Sequence, residues 1–221
     1  GTAHADWKGA ATSLLELLTD SHEPVRIAAA RALGELAEAS AVAPLIRAYR
    51  NAGPEFADAI TGAVARIDRE ALGEVIGILL ERDDAPSRAR LVRTLGGLRA
   101  PQPIGLLESL FRDRAPEVRT AAAEVLSRFP SAMTPSLLLQ GLADPDEAVR
   151  AAAVDGLVRL GHEAAAAQVL QLLREDPSPL VRERAALATG LFRPAGGEVQ
   201  LLATCQPTES LAVRAAALLA I

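Results

Sequence analysis

Apolar and small residues recur along this chain with helical spacing, in blocks of two kinds that alternate. In one kind they fall at a starting position, three or four residues on, and eight residues on, as in Val149, Ala152, Ala153 and Leu157. That is the stripe of a 3.6-residue helix buried along one face. The other kind is shorter and richer in leucine: "SLLELL", "VIGILLE", "IGLLESLF", "SLLLQGL" and "AAQVLQLL". Between a leucine-rich block and the alanine-rich block after it stand an acidic residue and usually a proline. Proline disfavours helix in the residue before it and pre-sets the first turn of the helix that follows. Each stretch therefore predicts two helices joined by a tight turn.

The pairs repeat. Anchored on the residue that precedes a recurrent arginine, the series runs Val25, Phe56, Ser87, Val118, Val149, Val181 and Val213, in steps of 31, 31, 31, 31, 32 and 32. A constant period of this length marks a stack of supersecondary units. The arginine recurs as Arg26, Arg88, Arg119, Arg150, Arg182 and Arg214, with Ala57 in the second unit. Five residues before the anchor stand Asp20, Asp113, Asp144 and Asp176, replaced in the other units by Asn51, Arg82 and Thr208. Prolines 24, 54, 86, 116, 145 and 179 lie between the two positions. Gly34, Gly96 and Gly190 fall near the ends of second helices, where a small residue permits close approach or a left-handed cap. One such pair cannot hide its own apolar faces, but stacked pairs form a continuous core. The fold class expected is all-α: a right-handed α-solenoid of about seven two-helix units, forming a single domain over 1–221. The units run roughly 6–39, 40–70, 71–101, 102–132, 133–162, 163–195 and 196–221. The chain starts with Gly1 and "LAVRAAALLAI" stops inside a helical pattern, so a fragment of a longer chain is expected.

The phrases "DSHEPVRIAAARALG", "DRAPEVRTAAAEVL" and "DPDEAVRAAAVDGL" resemble HEAT repeats, most of all the short bacterial type found in phycobilisome lyases. The resemblance spans essentially the whole chain and is specific for fold; such repeats serve many tasks, so it says little about function. It implies that the turn aspartate and the second-helix arginine form a ladder along the stack. Its members here would be Asp20, Arg26, Arg88, Asp113, Arg119, Asp144, Arg150, Asp176, Arg182 and Arg214, with Asp144 and Arg150 sharing one rung. A carboxylate accepts the amide donors left open at the turn and favours the positive end of the helix. An arginine with five donors can bridge the carboxylates of two adjacent turns. The second and third units, with Ala57 and Arg82, should be the gap.

Composition narrows the function classes. Half of the residues are hydrophobic but only 3% are aromatic, so the core is built from Leu, Ala and Val. The net charge of −5 argues against a general nucleic-acid surface, which needs clustered cations. Residues 82–114 hold seven arginines against four acids, a modest local excess expected to be a solvated helix face. The 22 arginines against one lysine, Lys8, fit a GC-rich genome. The single cysteine, Cys205, excludes an internal disulfide or a cysteine zinc cluster and reads as a structural thiol. No apolar run reaches the about 18 residues needed to span a bilayer. There is no secretory leader pattern, so a cytoplasmic location is expected unless the chain is part of an anchored or exported protein.

Candidate chemistry is sparse. Two His-Glu pairs, His22-Glu23 and His162-Glu163, invite comparison with deoxyhypusine hydroxylase, a HEAT-like protein that holds di-iron through four such pairs in equivalent helices. Two pairs at non-equivalent positions do not match that pattern, and no metal or cofactor is expected. HEAT-like alkylpurine DNA glycosylases use a basic groove with aromatic residues. This chain has one Trp and one Tyr, and Trp7 is expected to cap the first unit. No phosphate loop, Ser-His-Asp order or catalytic carboxylate pair stands out.

A partner would sit on the second helices, which line the concave side of such a stack. Outward positions fall two, six and ten residues past the anchor, and the columns at six and ten carry Arg31, Arg93, Glu124 and Asp155, and Arg66, Arg128 and Arg159. Leu187 and Leu191 make the same columns apolar near the C-terminal end. The expectation is a non-enzymatic scaffold or adaptor that binds another protein or peptide there. The alternatives are an accessory enzyme of the phycobilin lyase class and, less favoured, a nucleic-acid-binding protein.

Overall fold

The computed structural model describes residues 2–68, 70–80, 84–97 and 104–221, and side chains from residue 9 onward other than those of 79–80 and 104–106. These residues form helices and turns, with no strand among them. They fall into two compact units, Gly1–Ala100 and Pro101–Ile221. Trp7 and Arg82, expected respectively to cap the stack and to interrupt the ladder, lie outside the described side chains.

The first unit holds three helical pairs: α1 (Thr2–Leu17) with α2 (Glu23–Leu36), α3 (Val42–Tyr49) with α4 (Pro54–Ile67), and α5 (Leu72–Leu80) with α6 (Ala85–Gly97). The second holds four: α7 (Ile104–Leu110) with α8 (Pro116–Leu126), α9 (Thr134–Gly141) with α10 (Glu147–Arg159), α11 (Ala166–Glu175) with α12 (Pro179–Phe192), and α13 (Gly197–Thr204) with α14 (Leu211–Ala220). Short 3-10 turns, Ala39–Ala41 and Glu163–Ala165, lead into α3 and α11. Proline occupies the first or second position of α2, α4, α8, α9 and α12, where its missing N–H costs nothing and its fixed φ starts the turn.

In each unit the second helix of one pair lies against the second helix of the next, in the orders α2–α4–α6 and α8–α10–α12–α14. The first helices touch one another more sparsely, so the second helices form the tighter layer. Alanine and glycine make this spacing possible. A Cβ on Gly34 would lie 2.8 Å from the Ala63 Cα, and one on Gly156 would lie 2.9 Å from a Leu138 methyl. A Cβ on Gly190 would collide with the backbone of Ala220. Gly34 and Gly190 thus serve close approach, not left-handed caps. The left-handed caps of α2 and α12 are Ala37 (φ 50°) and Arg193 (φ 48°) instead.

The anchor residues face inward. Val118, Val149, Val181 and Val213 are fully buried and Phe56 nearly so, whereas Val25 and Ser87 keep partial exposure. Leu33, Ile60 and Val64 fill the core of the first unit, and Leu126, Leu138 and Leu157 that of the second. Three hydroxyls enter these layers without being orphaned. Thr61, Thr189 and Thr204 donate to the carbonyls of Ala57, Ala185 and Gln200 one turn earlier, at 2.7–2.8 Å.

Candidate functional site

Four turns between first and second helices share one geometry. The Oδ1 of Asp20, Asp113, Asp144 and Asp176 accepts the backbone N–H two residues on, from His22, Ala115, Asp146 and Ser178, at 2.7–2.9 Å. Each donor belongs to the N-cap residue of the following helix. The carboxylate therefore holds the backbone at the point where the helix starts. The arginine one turn into that helix folds back over the turn. Arg26, Arg119, Arg150 and Arg182 each donate Nη1 to the carbonyl oxygens of the turn aspartate and the residue after it, at 2.6–3.2 Å.

The free edge of each guanidinium then reaches the next pair in the stack. Arg119 holds Asp144 through Nε and Nη2, both at 2.8 Å. Arg150 holds Asp176 at 2.7 and 2.8 Å, and Arg182 holds Glu209 at 2.9 and 2.7 Å. These are bidentate fork-to-carboxylate bonds, the strongest geometry open to the pair. Asp144 and Arg150 are thus not partners side chain to side chain. Arg150 takes the carbonyl of Asp144, and the Asp144 carboxylate belongs to Arg119. No arginine among the three spans two carboxylates, because half of its donors are committed to its own turn.

The three arginines have pKa values raised above the ordinary guanidinium value, first by the bond to their carboxylate. Burial alone would raise the Asp144 carboxyl, but the bonds from Arg119 and the Asp146 N–H prevail and hold it below the usual range. Glu209 is lowered chiefly by Arg182. Each of these five shifts favours the charged form of its group.

Its ends differ. The period puts Asn51 rather than an acid at the turn after that of Arg26, and the Arg26 guanidinium lies 5.5 Å from the centre of the Phe56 ring, within cation–π range. Arg88 is buried, 2% exposed. Arg214 is half-buried, and its Nε is buried without a hydrogen-bond partner.

The outward columns are taken unit by unit. In the first, Arg31, Arg66 and Arg93 are exposed on α2, α4 and α6. Arg66 is paired across the helices with Glu35 at 3.1 Å, both side chains more than half exposed. Beside them Asp58 on α4 accepts a hydrogen bond from Thr94 at 2.9 Å and lies 3.6 Å from Arg90. In the second, Arg128 and Arg159 are exposed, while Glu124 is half-buried rather than facing outward. Asp155 is half exposed by area, yet the helices around it crowd it. That burial raises its carboxyl pKa against the pull of Arg184, 3.8 Å away, and of Arg159. The charges thus form short alternating pairs across adjacent helices instead of an unbroken cationic ridge. Leu187 is half-buried, but Leu191 is 65% exposed.

The sequence profile of the HEAT repeats matches residues 11–75, 73–138 and 135–221. The chain belongs to the HEAT-repeat family. Among curated proteins no relative matches it. Solved HEAT-type structures similar to it include the CpcE–CpcF complex of phycocyanin lyase from Nostoc sp., with 19% identity and a TM-score of 0.49 over 95% of this chain and 93% of that one. Human deoxyhypusine hydroxylase in complex with glycerol shows 20% identity and a TM-score of 0.47 over 96% and 83%. The archaeal HEAT-like repeats protein from Thermococcus onnurineus shows 16% identity and a TM-score of 0.48 over 84% and 88%. At these identities the likeness concerns the fold.

One ladder member of this HEAT-repeat chain escapes a reading by period. Glu209 stands one residue after Thr208, the position where the period places an acid, and still accepts both Arg182 bonds. An acid next to a vacant ladder position is the signal that finds it. Asp58 stands at the outward position two residues past its anchor and Thr94 off the outward positions, and only packing of α4 on α6 brings them together. His22 sits 3.2 Å from Asp20, and His162 precedes the 3-10 turn before α11. Among the described residues no three His, Cys, Asp or Glu side chains converge as a metal site. Cys205 is half-buried with its Sγ 3.3 Å from the Leu201 carbonyl. No described helix is long and apolar enough to cross a membrane.

Proposed function

We propose that this HEAT-repeat protein is a non-enzymatic interaction module that binds another protein or peptide across the exposed face of its second helices. The observation that carries this reading is the division of labour within those helices. One face is consumed by close helix–helix packing, and the turn end is locked by the ladder. The face left over presents exposed arginines, Arg31 and Arg93 in one unit and Arg128 and Arg159 in the other, interspersed with carboxylates. Neighbouring helices present this face as rows rather than isolated side chains. A rigid surface of alternating sign selects a partner by charge pattern and geometry more than by buried area. Its ligand is a segment with acidic and basic residues in matching alternation.

The test is affinity capture from the source lysate with the parent and with a variant carrying Arg93→Glu, Arg128→Glu and Arg159→Glu. Circular dichroism would confirm that both fold alike. Loss of a specific co-purifying protein with the variant is the expected result. Equal recovery from both rules out this face.

A further inference from the structure

The first helices of the second unit leave a groove that neither the ladder nor the outward arginines use. It lies between α9 and α11 and has a volume of about 460 Å³, inside the range of about 300–1,000 Å³ usual for ligand sites. Its floor is apolar, with Leu139 and Leu142 on one side and Leu172 and Pro177 on the other. Leu139 and Leu172 stay half-buried there. A small residue keeps the α9 side open. Six positions before the anchor, the neighbouring pairs carry Arg112 and Glu175, whereas this pair carries the exposed Ala143.

The rim is polar, and its charge is one-sided. Arg150 lines one end, but its donors are committed to Asp176 and to the carbonyls of Asp144 and Pro145. Glu175 is exposed at the rim and accepts one bond, from Gln171 Nε2 at 3.0 Å. Among the described residues no cation pairs with it. Gln168, also exposed at the rim, has no hydrogen bond among the described residues. A carboxylate without a cation beside an apolar floor favours an apolar group that carries a positive charge next to it. Two side-chain amides add donors and acceptors together, which is what a peptide backbone needs.

We propose that this groove docks a peptide segment in which a leucine- or phenylalanine-sized side chain is followed by lysine or arginine. The apolar side chain covers Leu139, Leu142 and Leu172, the cation meets Glu175, and the backbone bonds to Gln168 and Gln171. The site belongs to the first helices, so it stands or falls separately from the outward arginines of the second helices. A smaller groove between α3 and α5 of the first unit, about 240 Å³, is edged by Arg47, Arg50 and Glu74. Its excess charge is positive, which makes it an internal control.

Titration of the whole chain, followed by backbone amide NMR, tests the proposal with three capped peptides. They are acetyl-Ser-Phe-Lys-Ser-amide and the same peptide with Glu for Lys or Ser for Phe. The first should give saturable shifts in α9 and α11 and none in α3 or α5. Glu for Lys should weaken binding about threefold, as for a partly exposed ion pair. Ser for Phe should weaken it at least about tenfold, through lost apolar burial. Glu175→Gln should remove the preference for Lys over Glu but keep the need for Phe, and Ala143→Arg should abolish saturable binding. Both positions are exposed, thermal melts verify that the variants fold, and the three peptides decide the matter on the parent alone. Absence of saturable shifts in α9 and α11, or equal binding of the three peptides, overturns the proposal. So does 3-phenylpropylamine binding as tightly as the Phe-Lys peptide, the signature of a site for small amines.

Discussion

Replacing Arg150 with alanine should destabilise the second unit by about 3 kcal/mol, because it breaks a buried ion pair from one side. The side chains of Arg150 and Asp176 are 11% and 3% exposed. Removal of the guanidinium takes away two bonds to the Asp176 carboxylate and two to the carbonyls of Asp144 and Pro145. The larger loss is electrostatic. Asp176 would be left in a nearly closed site without its ion-pair partner, keeping the Ser178 N–H as a donor at 2.8 Å. Breaking a buried pair in this way costs about 3–5 kcal/mol, and water entering the vacated space argues for the lower end. With a urea slope of about 2 kcal/mol per molar, the midpoint should fall by about 1.5 M. Arg150→Lys keeps the charge but not the planar fork, and should recover only part of the loss. Arg150→Met combined with Asp176→Leu removes both charges and should lie closer to the parent than Arg150→Ala does. Urea unfolding followed by circular dichroism measures all of these, and hydrogen exchange in α10 and α12 localises the effect. An Arg150→Ala protein with the midpoint and slope of the parent would refute the ladder as a structural element.

Three further outcomes follow from the same geometry. Asp144 and Glu209 have folded-state pKa values below their unfolded ones, so the stability they contribute is present above the unfolded values. It is lost as pH falls through the folded values, in the range below about pH 4.5. Asp144→Asn should therefore be less stable than the parent at neutral pH and show a shallower loss on acidification, read from thermal midpoints across the pH series. Gly190→Val should cost about 1–3 kcal/mol or displace α14, because its first carbon already meets the Ala220 backbone; a thermal melt checks it. Arg66→Ala should change stability by less than about 0.5 kcal/mol, since its partner Glu35 and it are both largely exposed. A loss comparable to that of Arg150→Ala would mean that burial does not separate the two classes of ion pair.

The sequence alone determined the repeating part of this protein. A 31- or 32-residue step, a leucine-rich block, a turn with Asp and Pro, and an alanine-rich block state a helical pair and its stacking, because helix periodicity and proline stereochemistry are local. The same reading found the aspartates and arginines of the ladder, since each recurs at a fixed distance from its anchor. Which carboxylate each arginine holds was decided only by the stack. The rung joins Arg119 to Asp144 and Arg150 to Asp176, 25 and 26 residues apart, because stacking sets the next turn against the free edge of the guanidinium. Glu209 enters on the same ground, as a carboxylate brought within reach despite missing its periodic position. The outward columns are the clearest case. Helical spacing turns Arg66, Asp155 and Glu124 outward, but the packing of neighbouring helices pairs Arg66 with Glu35, crowds Asp155 and half-buries Glu124. Spacing along one helix says which way a side chain starts out; what it meets depends on a second helix whose distance is set by the small residues between them.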